Sequence, residues 1–187
     1  ADIKCTSPNC PAQLERHMIN FVGRDAMDIK GFGATYIMEL VHLGYLKDIA
    51  DIYDLKQHRE ELIEQGIIGK EKNTDKLLDA IEKSKQNEAF QLLTGFGIPN
   101  VGKAAAKTIL KHFGSIEALM QADMESLQQV ADVGEVTALC IRNYFQDENN
   151  CKIIERLKEA GVNMEMAESG SEDGRFDGVT FVITGTL

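Results

Sequence analysis

The stretch IPNVGKAAAKTIL, residues 98–110, places a proline, an asparagine and a glycine directly before an alanine-rich run that carries lysines. Asparagine is one of the residue types that most readily adopt a positive φ, so the chain can reverse tightly at Asn100. The residues four, seven and eight positions after Gly102 are small or apolar and share one helical face. The stretch therefore predicts a tight turn that leads into a helix.

The same pattern recurs three more times along the chain. Its copies are IKGFG at 29–33, VADVG at 130–134 and a weaker one, GIIGK, at 66–70. The positions equivalent to glycine are 33, 70, 102 and 134, so the spacing is nearly constant. Repetition at this period indicates one helix pair per repeat and predicts a mainly α fold.

The start of the second helix in each pair is suited to bind an anion. Amide N–H groups in the first turn have no intrahelical partner, and the helix dipole adds about half a positive charge. Backbone amides carry no base information, so phosphate binding through them is independent of DNA sequence. For a single copy, an ordinary turn between helices with a capping glycine is the alternative, but four copies favour phosphate binding. The candidate contact residues are Gly31, Phe32, Gly33, Asn100, Val101, Gly102, Lys103, Lys107 and Gly134.

Charge distinguishes the copies from one another. The net charge of −10 excludes a uniformly basic surface, so any contact with nucleic acid must be local. Residues 98–114 hold three lysines and a histidine and no acid, whereas residues 147–177 hold nine acids and four basic residues. The second copy has Lys70 where glycine is expected, and the fourth carries Asp132 and Glu135. The first and third copies are therefore the preferred phosphate clamps.

These turns resemble helix-hairpin-helix motifs, and their number and spacing resemble the four-motif domain of the bacterial NAD-dependent DNA ligases. The resemblance covers nearly the whole chain. The stretches that agree in order are CTSPNCPAQL at 5–14, AMDIKGFG at 26–33, LLDAIEKSK at 77–85, HFGSIEAL at 112–119 and FDGVTFVITGTL at 176–187.

Two cysteines precede the array. Cys5 and Cys10 form a C-x4-C loop that can present two thiolates to one Zn²⁺, which is half of a four-ligand site. The resemblance implies that an earlier cysteine pair completes the site, and His17 is a weaker substitute ligand. Cys140 and Cys151 are expected to be free thiols.

The resemblance also implies a domain organisation. We expect the end of a zinc finger at 1–22, including a short helix from Pro11, and the hairpin array at 23–162. A polar, acidic linker is expected at 163–177, followed at 178–187 by the first strand of a BRCT domain. The chain is thus interpreted as a fragment of a longer protein.

Function follows by the same resemblance. The parent enzyme is expected to move AMP from NAD to a lysine and then to the 5′-phosphate at a nick, with Mg²⁺ assisting the attack of the 3′-hydroxyl. The family's nucleophile motif, Lys-x-Asp-Gly, does not occur in this sequence, so no catalytic residue is predicted here and NAD and Mg²⁺ are expected to bind elsewhere. The chain is expected to bind nicked double-stranded DNA through backbone phosphates, beside the remaining ligase domains.

Location and two alternatives complete the prediction. No apolar run approaches the roughly 20 residues that span a bilayer, and no signal-peptide pattern is present, so a soluble, intracellular protein is predicted. The resemblance implies a bacterial cytoplasmic protein associated with the nucleoid. A repair endonuclease or junction-binding protein could also carry tandem hairpins. A helical module that binds another protein would account for the acidic charge but not for the lysine-bearing third copy.

Overall fold

The structure is a computed structural model that describes residues 10–167 of the chain. Within that range the chain forms eleven α-helices and one short 3-10 helix, and no strand beyond a single bridge between Ser115 and Glu165. The helices are α1 Pro11–Val22, α2 Ala34–His42, α3 Asp51–Asp54, α4 Arg59–Gln65, α5 Glu71–Ser84, α6 Ala89–Gly95, α7 Lys103–Phe113, α8 Ile116–Gln121, α9 Met124–Gln128, α10 Glu135–Gln146 and α11 Glu148–Glu159, with the 3-10 helix at Leu55–His58. The mainly α prediction is confirmed.

Four helix pairs correspond to the four sequence repeats. The contacting pairs are α1 with α2, α4 with α5, α6 with α7, and α9 with α10. The second helix of each pair starts immediately after position 33, 70, 102 or 134. The spacing therefore located the start of every second helix correctly, including the degenerate second copy.

The inward-facing positions of the repeat form the core, and all of them except Thr74 carry apolar side chains. The residues four and seven positions after the glycine-equivalent position are buried in all four copies. They are Ile37, Leu40, Thr74, Leu77, Ala106, Ile109, Ala138 and Ile141. Positions four and seven lie on one face of a helix, so each second helix packs this face inward and exposes the opposite one.

Helix α1 packs as part of the array, although the sequence placed it with the zinc finger at 1–22. Its residues Met18 and Phe21 are fully buried, and α1 contacts both α2 and α6. Gly95 of α6 lies so close to α1 that a Cβ at this position would stand 2.8 Å from Cδ2 of Phe21. The packed domain therefore includes α1, which lies before residue 23.

His17 contributes to the same contact between α1 and α6. Its Nε2 atom is buried and has no hydrogen-bond partner among the described residues. Burial lowers the pKa of His17 below its usual value of 6.5, and a hydrogen bond with the backbone of Gly95 opposes this shift. His17 is therefore held in its neutral form inside the packed domain.

This burial predicts a pH dependence of stability. Between the lowered pKa of the folded state and 6.5, the unfolded chain binds more protons, so the free energy of unfolding should decrease as the pH falls through this window. Urea unfolding at pH 7.5 and 5.5 measures the decrease. The decrease should be smaller in His17→Gln than in the parent. His112→Gln, which changes an exposed histidine, is the control and should behave like the parent. Equal decreases in His17→Gln and His112→Gln would contradict the assignment.

Helix α11 ties the end of the array to the segment between the first and second pairs. The guanidinium of Arg156 donates to Asp48, Asp51 and Asp54 at 2.8–3.1 Å. Burial and the neighbouring Asp51 raise the pKa of Asp48, although Arg156 acts in the opposite direction. The cluster thus joins distant parts of the chain, but desolvation offsets part of its contribution to stability.

Residues 163–166 belong to the packed domain, whereas the sequence placed them at the start of the linker. Asn163 N–H donates to the carbonyl of Lys85, Met166 N–H donates to Gly114, and Met164 is buried. The sequence did not predict this contact, because the residues are polar and acidic and the hydrogen bonds are formed by backbone groups. The rest of the predicted linker and the predicted BRCT strand at 178–187 lie outside the described residues.

Across residues 10–167, no helix combines the length and apolar character needed to cross a membrane.

Candidate functional site

Three of the four hairpins share one turn geometry. The third residue of each copy, Gly31, Asn100 or Asp132, has a positive φ of 81°, 67° or 67°. In each copy the fourth residue donates its N–H to the first residue's carbonyl, at 3.3, 3.0 and 3.2 Å respectively. A four-residue turn with a positive φ at its third residue is the pattern of a type II turn. The predicted reversal is confirmed at these three positions.

The fourth residue of each turn anchors it to the core. Phe32, Val101 and Val133 are 5%, 5% and 6% exposed, and their amides are already used within the turn. Phe32 and Val101, which the sequence placed among the contact residues, therefore point their side chains inward. Their role in this structure is to hold the turn against the helices, so that the next residue stands at the surface.

The fifth residue of each of these three copies is a glycine that neither the backbone angles nor the packing of the fold requires. Gly33, Gly102 and Gly134 have φ values of −77°, −89° and −90°, which any residue can adopt. A Cβ built at any of the three would meet nothing within 4 Å. The fold would therefore accept a side chain at these positions, and the glycines leave the backbone open to an external group.

The amides beside these glycines lack partners inside their helices. In α2, α7 and α10 the first intrahelical bond to the cap comes from the fourth helical residue, namely Ile37, Ala106 or Ala138. The cap has no side-chain oxygen that could accept from the preceding amides. Three helices of nine to twelve residues thus present uncapped N–H groups next to an exposed glycine, an arrangement that binds anions.

The two candidate lysines of the third hairpin differ in position. Lys103 is the first residue of α7, is exposed, and forms no ion pair with residues 10–167. Lys107 lies one turn further on, with its ammonium 5.5 Å from the centroid of the Phe90 ring. A cation–π contact of this kind keeps the Lys107 charge beside the helix. Lys103 is the more accessible of the two charges at the start of α7.

The second hairpin has a different turn. Its positive φ values fall on the first and fourth residues, Gly66 at 66° and Gly69 at 109°, and not on the third residue, Ile68. Lys70 caps α5 with the same extended backbone as the glycines, φ −81° and ψ 174°, but it carries an exposed side chain. The sequence predicted that this copy is a poorer phosphate clamp than the first and third. The structure agrees with this prediction, because a side chain lies where the other hairpins leave the backbone exposed.

The fourth hairpin combines the open glycine with negative charge and exposed apolar side chains. Glu135 is the first residue of α10, where a carboxylate stabilises the helix dipole but opposes a phosphate. Val136 and Leu139 on the same helix are 67% and 51% exposed. Gly134, although it has the right backbone geometry, therefore lies in surroundings that disfavour phosphate.

The third and fourth hairpins are neighbours in space. Asn100 Nδ2 lies 3.9 Å from Cys140 Sγ on α10, and the ring of Phe96 stacks on Tyr144 with centroids 5.4 Å apart. The sequence alone gave no sign of this contact, because it joins residues 40 or more positions apart. It places the acidic fourth hairpin beside the basic third one.

The described residues do not complete a metal site. No group of three or more potential metal ligands from His, Cys, Asp and Glu occurs among residues 10–167. Cys10 stands directly before α1, with its carbonyl accepting from Gln13 and Leu14, whereas Cys5 lies outside the described residues. His17, the substitute ligand, is engaged between α1 and α6.

Comparison with known proteins agrees with the architecture. The family described as "Helix-hairpin-helix motif" matches residues 91–154, which contain the third and fourth hairpins. A protein named DNA ligase from Clostridium kluyveri is 46% identical over 187 residues, which is all of this chain and 28% of that protein. DNA ligases from Desulforamulus reducens and Methylacidiphilum infernorum are 46% and 40% identical over 98% and 99% of the chain and 27% and 26% of those proteins.

The chain spans little more than a quarter of the length of these curated relatives. The similarity is not confined to the matched motif, since it extends to the N-terminal cysteines and to the C-terminal residues. The chain is thus a mainly helical protein with a helix-hairpin-helix domain, homologous over its whole length to a segment of bacterial DNA ligases.

Proposed function

We propose that this chain is the part of an NAD-dependent DNA ligase that grips nicked double-stranded DNA by its backbone phosphates, without reading base sequence. The observation that carries the proposal is the open glycine at the start of α2 and α7. Gly33 and Gly102 adopt ordinary backbone angles and have free space where a Cβ would stand, so neither is needed by the fold. A phosphate oxygen that approaches the backbone amides is the external group that such a glycine admits.

The relatives favour a ligase over the alternative of a repair endonuclease or junction-binding protein. Proteins named DNA ligase match every part of this chain at 40–46% identity. A module that only binds another protein would make use of Val136 and Leu139, but it would leave the uncapped amides beside Lys103 without a purpose. DNA binding therefore accounts for more of the surface.

The chemistry of the parent enzyme belongs to the same proposal. AMP transfer from NAD and Mg²⁺-assisted closure of the nick would take place on the remaining ligase domains, with this chain holding the duplex. Cys5 and Cys10 would supply half of a zinc site, and at least one of the two further ligands would have to come from outside residues 10–167. The place of action would be the bacterial cytoplasm, on chromosomal DNA.

The proposal predicts a particular binding behaviour. Fluorescence anisotropy of the 187-residue chain with labelled nicked duplexes should give the same affinity for duplexes of different base sequence. The logarithm of the binding constant should fall with the logarithm of salt concentration with a slope that reflects about 3 to 5 phosphates. Tighter binding to a nicked than to an intact duplex of equal sequence is expected. Binding that depends on base sequence, or that is insensitive to salt, would contradict phosphate recognition.

A further inference from the structure

A cavity of about 630 Å³ lies between the first hairpin and helix α5. Its walls carry three lysines, Lys30, Lys76 and Lys83, together with Asp28, Asp79 and the turn residue Gly31. None of the lysines belongs to the helix that the first hairpin opens. Two of them stand on α5, the second helix of the neighbouring pair, whose own hairpin lacks the open glycine.

The neutral side chains of the cavity, Ser84 and Asn87, already form hydrogen bonds within the protein. Ser84 Oγ donates to the carbonyl of Ile81 at 2.6 Å and lies 3.0 Å from the hydroxyl of Tyr53. Asn87 Nδ2 donates to the carbonyl of Met27 at 2.6 Å. Asn87 keeps one further amide N–H, so the charged donors that remain for a ligand are the three ammonium groups, which favour an anion.

The three lysines of the cavity are available to bind an anion. Lys76 and Lys83 are exposed and form no ion pair with any residue between 10 and 167. Lys30 approaches Asp28 at 3.8 Å, but its side chain is 84% exposed, so that pair is weak. With three cations and two carboxylates, the lining has one surplus positive charge, which matches the single negative charge of a phosphodiester.

We propose that this cavity is a second phosphodiester subsite, which holds the DNA strand beside the phosphate gripped by the first hairpin. The inference rests on the proposed function and deepens it. Lys76 and Lys83 are seven residues apart on α5 and so share one face, about 10 Å apart along the helix axis. The hairpin that precedes α5 does not expose its backbone to a phosphate. Helix α5 instead contributes lysine side chains to the interface.

The test is a salt series of anisotropy titrations with a nicked duplex. The double variant Lys76→Ala/Lys83→Ala should bind about four- to tenfold more weakly at low salt, and its salt slope should be shallower by about one to two. The matched control Lys47→Ala/Lys152→Ala removes the same charge from exposed positions outside the cavity and should change affinity by no more than about twofold. Circular dichroism of all variants checks that the helices remain.

A change in the opposite direction makes the test stricter. Asp79→Asn removes a carboxylate from the cavity and should strengthen binding by about two- to threefold. The subsite is refuted if the cavity double variant and the control double variant bind alike, or if Asp79→Asn binds no more tightly than the parent. Gly102→Val separates this failure from a failure of the proposed function: if it weakens binding while the cavity variants do not, only the subsite is lost.

Discussion

Gly102→Val should weaken binding to a nicked duplex at least about tenfold while leaving the helices intact. The fold has room for the new side chain, because φ at Gly102 is −89° and a Cβ meets nothing within 4 Å. An approaching phosphate has no such room, since the side chain would stand between it and the amides that open α7. Losing one charge-assisted hydrogen bond costs about 1.5–3 kcal/mol, and 1.4 kcal/mol is a tenfold change in affinity.

Two lysine variants provide the comparison. Lys103→Ala should weaken binding by only about two- to threefold, because it removes one exposed and screened charge. Lys70→Ala, in the hairpin with the altered turn, should matter less than either change in the third hairpin. Anisotropy across a salt series measures all three, and circular dichroism controls for folding. A folded Gly102→Val that binds like the parent would leave the third hairpin as a structural turn only.

Gly95→Ala should lower the free energy of unfolding by up to about 2 kcal/mol, although alanine is the better helix former. Its Cβ would stand 2.8 Å from Cδ2 and 3.3 Å from Cε2 of Phe21, a fully buried ring on α1. Overpacking of this kind costs about 1–3 kcal/mol. The gain of up to about 1 kcal/mol from replacing glycine inside a helix offsets only part of that cost.

Gly134→Ala is the matched control for Gly95→Ala. Gly134 has an extended backbone and free space around its Cβ position, so alanine should leave stability within about 0.5 kcal/mol of the parent. Urea unfolding monitored by circular dichroism measures both variants. Equal stability of Gly95→Ala and Gly134→Ala would mean that α1 and α6 do not pack as closely as the structure shows.

The hairpins were predictable because their determinants are local. Asparagine readily adopts a positive φ, so the turn at Asn100 could be predicted from its residue type together with the glycine two residues later. The buried face of α7 follows from helical spacing. The same reasoning located the start of α5 despite Lys70, since the inward-facing residues Thr74 and Leu77 kept the spacing of the repeat.

The rest depends on contacts between distant parts of the chain. The sequence placed α1 with the zinc finger because nothing near Phe21 indicates that Gly95 makes room for it. Residues 163–166 read as linker because their docking uses backbone groups, as in the bond from Asn163 N–H to Lys85. The sequence did not predict the cavity lysines for a similar reason. Lys76 and Lys83 look like an ordinary solvent-exposed helix face in the sequence, and only the structure shows that the first hairpin lies beside them.

Backbone amide mapping tests the phosphate-clamp proposal most directly. In a ¹⁵N-resolved NMR titration of the chain with a nicked duplex, the largest amide shift changes should fall on Gly33 and the first turn of α2, and on Gly102 and the first turn of α7. The first turn of α10, which begins with Glu135, should respond less. Shift changes that concentrate on Val136 and Leu139, or that leave Gly33 and Gly102 unaffected at saturating DNA, would contradict binding of phosphate by these hairpins.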